Sequence, residues 1–207
     1  MRIRPPRGSR MALVSAAIAW TIAGCAGTPP VQITAEPSPP DRAAALFTEA
    51  LSAQDTGDDA RAAALLNDVI AIDPARAAPH TNLGIIYRRT GRLDEAIREY
   101  ETAIRLNPAD AEAYHNLGLA HRRRGAFADA ERAYRRALEL RPNQVDTHYN
   151  LGILYDLYLN RPQDALVHYQ AILDLGGPEI DIVTGWIRTL ERRATRGAAV
   201  QPTERLP

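Results

Sequence analysis

The sequence contains one cysteine, two methionines, two tryptophans and two phenylalanines in 207 residues, and aromatic side chains make up only 6% of it. A single cysteine excludes an intramolecular disulfide framework. Lysine is absent, so all 25 basic side chains are arginine, a bias we read as genomic base composition rather than chemistry. These 25 bases meet 25 acids. A neutral chain lacks the basic stripe that phosphate neutralisation requires, which argues against a nucleic-acid partner. Past residue 24 only Ser38 and Ser52 remain as serines, no G-x-S-x-G elbow or phosphate loop occurs, and His80, His115, His121, His148 and His168 lack metalloprotease spacing. Neither catalysis, a metal nor a cofactor is expected.

What the chain does have is alanine, leucine and arginine in quantity, a helical composition. Its amino terminus, MRIRPPRGSR, carries Arg2, Arg4, Arg7 and Arg10 with no acid and precedes the apolar run MALVSAAIAWTIAG. That is the order of a secretory signal peptide. The run is shorter than the roughly 20 residues that cross a bilayer, and it ends on Ala23 and Gly24, small enough for a peptidase to grip an extended backbone. Ile22-Ala23-Gly24-Cys25 resembles the lipobox of bacterial lipoproteins. The resemblance implies that residues 1–24 are removed and that Cys25 becomes diacylated on sulfur and acylated on its new amino group. Cleavage would take four arginines and no acid, leaving 21 against 25 and a net charge of −4. Each lipid carbon buried contributes about 0.8 kcal/mol, and more than one chain turns marginal into stable anchoring. Ala26 follows the cysteine, where an aspartate in enteric lipoproteins favours inner-membrane retention, so the expected location is the periplasmic face of the outer membrane.

Residues 25–41 read as the lipidated cysteine and a tether, because Pro29, Pro30, Pro37, Pro39 and Pro40 favour extended geometry over helix. From about residue 42 the chain repeats itself. Pro74, Pro108 and Pro142 recur every 34 residues, and laying 77–110 over 111–144 aligns Asn82 with Asn116, Leu83 with Leu117, Gly84 with Gly118, Gly91 with Gly125, Ala96 with Ala130, Tyr100 with Tyr134 and Ala103 with Ala137. Such a period predicts stacked helical hairpins. In the 77–110 copy Leu83, Ile86 and Tyr87 form one apolar face, Gly84 permits close helix approach and Gly91 ends the first helix. Opposite charges four apart, Asp94 with Arg98, Glu101 with Arg105 and Glu131 with Arg135, are expected to pair along the outer side. One hairpin cannot bury its own stripe, so stacking is obligatory.

These segments resemble tetratricopeptide repeats. The resemblance implies an all-α solenoid of about four helix-turn-helix repeats over 42–178 (about 43–76, 77–110, 111–144 and 145–178), a capping helix over 179–195 and a flexible tail over 196–207. In the first copy Glu49 stands where a large apolar residue is usual. The fourth has one extra residue near Asn160-Arg161-Pro162, read as a longer loop.

The resemblance further implies a concave groove lined by the first helix of each repeat, taking a protein partner as an extended peptide or a helix. Carried to this chain, the groove residues are Asn82, Arg88 and Arg89 in the second copy, His115, Asn116, Arg122 and Arg123 in the third, and Tyr149 and Asn150 in the fourth. The asparagines offer both donor and acceptor to a peptide backbone, or else satisfy neighbouring helices. The arginines lie near helix carboxyl ends, where cations suit the dipole; that reading is preferred to a dedicated acid-binding patch. A chaperone-type carboxylate clamp is not expected, since Thr81, Ile85, Asp146 and Asn150, or Phe47, Leu51, Glu112 and Asn116, occupy its positions. The plan is similar to pilus-assembly pilotins and tight-adherence repeat lipoproteins, which implies a lipid-anchored scaffold for an envelope complex. An adaptor regulating peptidoglycan hydrolases and a self-associating structural protein are the alternatives.

Overall fold

The computed structural model describes residues 38–177 and 180–199. The signal segment 1–24 and Cys25 lie outside them. The described residues form helices without a strand: α1 (Pro39–Asp55), α2 (Asp59–Ile72), α3 (Ala77–Arg89), α4 (Leu93–Leu106), α5 (Ala111–Arg124), α6 (Phe127–Leu140), α7 (Val145–Ile153) running into a π-helical turn (Leu154–Tyr158), α8 (Pro162–Asp174) and α9 (Ile180–Ala199). Helices pair as α1 with α2, α3 with α4, α5 with α6 and α7 with α8, and each hairpin stacks on the next; α9 packs on α8. This is the all-α helical repeat expected from the 34-residue period.

Two element ends differ from the sequence reading. The first helix starts inside the stretch read as tether, with Pro39 and Pro40 at its first two positions. Proline is at home there, because its fixed φ suits the helix and its missing N–H would have had no intrahelical acceptor. At the other end α9 continues to Ala199, four residues into the stretch read as tail.

Within each hairpin the close approach has a specific cause. A Cβ placed on Gly84 would lie 2.5 Å from the Tyr100 ring, one on Gly118 2.6 Å from the Tyr134 ring, and one on Gly152 2.5 Å from the Tyr169 ring. All three rings are almost wholly buried, and burying a large side chain of this kind contributes about 1.5–3 kcal/mol. The first hairpin solves the same contact differently: Ala50 and Leu66 stand at the corresponding places, both fully buried. Where the ring shrinks, the facing residue gains a methyl.

The hairpin turns of the second and third repeats close through Gly91 (φ +83°) and Gly125 (φ +82°). Their left-handed backbone lets Arg92 N–H reach the Tyr87 carbonyl at 2.8 Å and Ala126 N–H reach that of His121 at 2.9 Å, capping the preceding helix. In the fourth repeat the left-handed residue is Asn160 (φ +49°), one residue later than the period demands. The extra residue leaves three residues, 159–161, between the first helix and α8, against two, 125–126, in the third repeat. The last turn of that helix widens, with Leu159 N–H bonding the Leu154 carbonyl at 3.0 Å, an i→i+5 link.

Charges also pair differently from the expected pattern of four. Arg89 pairs with Asp59, Arg124 with Asp94 and Arg161 with Glu131, each spanning thirty residues and so joining one repeat to the next. Asp94 and Glu131 thus reach across the stack rather than along their own helix. The exposed Asp94–Arg124 pair contributes only about 0.2–1 kcal/mol. At the carboxyl end Val183 and Leu190 of α9 are buried against the cluster of Tyr169 and Ile172, with Trp186 and Ile187 packed beside them.

Candidate partner-binding face

The first helices α3 and α5 lie in contact, so residues 34 apart on α1, α3, α5 and α7 fall into rows along one side of the stack. One row is Ile85, Leu119 and Ile153, half-buried apolar side chains. Three residues further on, near each helix end, the row is Gln54, Arg88, Arg122 and Asp156.

The three asparagines are partly committed. Each side-chain amide donates to the carbonyl four residues earlier in its own helix: Asn82 to Ala78 at 2.9 Å, Asn116 to Glu112 at 3.1 Å and Asn150 to Asp146 at 2.7 Å. The Oδ1 of Asn150 also accepts from an Arg122 guanidinium N–H at 3.1 Å. Tyr149 packs against Trp186, ring centres 5.6 Å apart, at the point where α9 closes the row.

The four arginines separate into two kinds. Arg89 donates from Nε to Asp59 Oδ2 at 2.9 Å, and Arg123 donates to the Arg88 carbonyl at 2.7 Å, so both stitch repeats together. Arg88 and Arg122 pair with no carboxylate among the described residues, and the Nε of Arg88 is buried without a hydrogen-bond partner. Facing them from the second helices are the buried hydroxyls of Tyr100 and Tyr134, Tyr100 against Arg88 and Tyr134 against Arg122. Burial pushes both phenols up to about 12, against the opposing effect of Arg88 on Tyr100 and of Arg122 on Tyr134. The repeat alignment pairs Tyr100 with Tyr134 without assigning their hydroxyls a role; their 34-residue spacing in step with Arg88 and Arg122 is the available signal.

His115 lies near enough to both guanidiniums to feel their charge. It is 9% exposed, its Nδ1 is 2.7 Å from Thr147 Oγ1, and its ring sits 5.8 Å from that of Tyr134. Burial holds it down to about 4, with Arg88 and Arg122 reinforcing the effect and Asp146 opposing it. It is therefore neutral near pH 7.

A second histidine cluster belongs to the fourth hairpin. His148 Nε2 donates to the Pro142 carbonyl at 2.9 Å, which leaves its Nδ1 to accept from His168 Nδ1–H, also at 2.9 Å. His168 stacks on Tyr155 at 5.5 Å. Burial, and then His148, hold His168 down to about 4. No group of three or more metal-ligating side chains occurs among the described residues, and no described helix is long and apolar enough to cross a membrane.

Comparison with known proteins agrees with this architecture. Family models match residues 85–125 (TPR repeat), 111–144 and 133–167 (both tetratricopeptide repeat). Among solved structures, PilF of Pseudomonas aeruginosa superposes with a TM-score of 0.67 at 20% identity, covering 76% of this chain and 71% of that one. MamA from Desulfovibrio magneticus RS-1 gives 0.59 at 22% identity, over 65% of this chain and 75% of that one. The first repeat domain of Spaghetti (RPAP3), bound to the HSP90 peptide SRMEEVD, gives 0.55 at 23% identity, over 56% of this chain and 92% of that one. At these identities the likeness speaks for the fold. No curated protein matches the chain in sequence.

Proposed function

We propose that this chain, which carries tetratricopeptide repeats and with them the scaffold of a protein–protein interaction module, is a lipid-anchored adaptor of the bacterial envelope. Its repeats hold a partner protein along the face of the first helices during assembly of a pilus or secretion machine. The anchor is the lipidated Cys25, on the periplasmic face of the outer membrane. The observation that carries the interaction role is the row of first-helix side chains spaced one repeat apart, half-buried isoleucine and leucine beside guanidiniums without carboxylates. Such a row presents the same chemistry at each step to an extended or helical segment. Support for the envelope setting comes from the charged and apolar amino terminus that leads into Ile22-Ala23-Gly24-Cys25 and from the likeness to PilF.

The role requires no catalytic group. Burial holds His115 and His168 neutral near pH 7.

The test labels cells with palmitate, with and without globomycin, for the wild type and Cys25→Ala, and follows the protein through membrane fractionation. Label and outer-membrane residence lost together in the variant support the anchor. Site-specific photocrosslinkers at Ile85 and Leu119, with Asp68 on the second-helix side as control, then test the face. Crosslinks confined to Asp68 would refute an adaptor that works through its first helices.

A further inference from the structure

Five polar groups converge where the second and third repeats meet. They are the guanidiniums of Arg88 and Arg122, the hydroxyls of Tyr100 and Tyr134, and the imidazole of His115. Three of their atoms, Arg88 Nε and the two phenol oxygens, are buried. Each phenol lies against a guanidinium, Tyr100 against Arg88 and Tyr134 against Arg122, but no carboxylate among the described residues meets either arginine, and a buried polar group left unpaired costs about 1–3 kcal/mol.

The nearby residues show what kind of acceptor. Every donor in the cluster suits an anion, and the two tyrosines are fully buried, which fixes their hydroxyls in place. Arg89, one residue from Arg88, is occupied by Asp59, and Arg193 by Asp156. Neither Glu112 nor Asp146 is in ion-pair contact with Arg88 or Arg122, although each lies close enough to act on Tyr100 or His115. Three residues back along α3, α5 and α7 run the half-buried Ile85, Leu119 and Ile153. A ligand meeting both rows must carry a carboxylate next to apolar groups.

We infer that Arg88 and Arg122, backed by Tyr100, Tyr134 and His115, form a seat for an aspartate or glutamate side chain of the partner, flanked in that partner by apolar residues that lie on Ile85, Leu119 and Ile153. This inference rests on the first-helix face being the partner's site. It names an internal side chain and not a terminal carboxylate, because Thr81, Ile85, Asp146 and Asn150 leave the clamp positions without cations. A carboxylate between two guanidiniums takes charge-assisted bonds, and Arg offers them in a planar fork.

The experiment uses the full 207-residue chain and an array of peptides of mixed sequence, acetylated and amidated so that the only carboxylates are side chains. The expected result is enrichment of Asp or Glu with apolar neighbours. The best peptide should bind at least tenfold more weakly to Arg88→Gln/Arg122→Gln, while its Asp→Asn or Glu→Gln version binds wild type and variant alike. Arg88→Lys/Arg122→Lys should keep part of the preference, which covers the case in which the glutamine variant fails to fold, as judged by helical circular dichroism. Peptides retained without acid preference, or a preference that survives in the glutamine variant, overturn the seat while leaving the groove in place. Retention only of uncapped peptides through their free carboxyl ends overturns it equally. An array that retains nothing overturns the groove and the seat with it.

Discussion

The third and fourth repeats perform the same packing with one residue's difference. Both set a glycine under a tyrosine ring, Gly118 under Tyr134 and Gly152 under Tyr169, and both turn through a left-handed residue after the first helix, Gly125 and Asn160. Between those fixed points the third has an α-helix and the fourth an α-helix that widens to a π turn at Leu154–Tyr158. The glycine–ring contact fixes the helix upstream and the left-handed residue fixes the turn downstream, so the surplus residue is taken up between them, in the widened last turn and the residue that follows it. A second difference lies at one pair of positions. It is His80 and Glu99 in the second repeat, 2.7 Å apart, Tyr114 and Ala133 in the third, and the hydrogen-bonded His148 and His168 in the fourth.

The sharpest way to break the comparison is deletion. Removing Arg123 takes from α5 a residue it has no slack to lose and rotates Gly125 out of register, with an expected cost on the order of 4 kcal/mol. Removing Leu157, which is 68% exposed in the π turn, returns the fourth repeat to the common period and should cost less than about 1 kcal/mol. Denaturant melts of the two deletions measure both, and equal losses would mean that the π turn is not where the slack is held.

Next in size is the glycine–ring contact. Gly118→Ala should destabilise by about 2–3 kcal/mol, because the added methyl overlaps a fully buried ring. Gly118→Ala combined with Tyr134→Leu rebuilds the Ala50–Leu66 arrangement, and the pair should lose at least about 1 kcal/mol less than the sum of the single changes. Strict additivity in that cycle would sink the proposed exchange.

Acid comes third. His115 and His168 are both held near 4, against an ordinary value of 6.5, so the unfolded chain takes up their protons first. Their contribution is fully present above pH 6.5 and lost as the pH falls towards about 4, by about 2 kcal/mol each at pH 4.5. His168→Ala installs the residue that the third repeat has there, and it should flatten the part of the acid loss due to that site, seen in melts at pH 7 and 4.5. An unchanged acid slope in the variant would assign the loss to other groups.

Smallest is the rung between repeats. Arg124→Gln should cost about 0.2–1 kcal/mol, and less at high salt. A cost several times larger would show that Arg124 does more than meet Asp94.

Much of the fold could be read in the sequence because the period of 34 forces its own geometry. Gly84 against Tyr100 and Gly91 in a turn are local requirements that single residues announce. The π turn was not legible, since counting residues between Gly152 and Ala165 shows one too many without saying whether a helix or a loop takes it up. Ion pairs thirty residues apart were hidden for a related reason: along one helix Asp94 is as well placed for Arg98, and only the neighbouring hairpin brings Arg124 to it. On the partner face, Arg88 and Arg89 look alike in sequence, adjacent in the last turn of one helix. They part company once Asp59 and the Tyr100 hydroxyl are in place, which no helical pattern within α3 encodes.

The glycine–ring contact also governs how such an array can diverge. A copy that mutates its glycine first collides with the ring, and one that mutates its ring first is left with a hole, so each route from Gly–Tyr to Ala–Leu passes through a less stable ancestor. The first hairpin, with Ala50 and Leu66, occupies the far side of that valley. Neighbouring repeats in one chain can therefore be stranded on opposite sides of a barrier that selection has to cross in pairs, and a lineage of repeats keeps its hairpin chemistry long after the side chains facing its partners have changed.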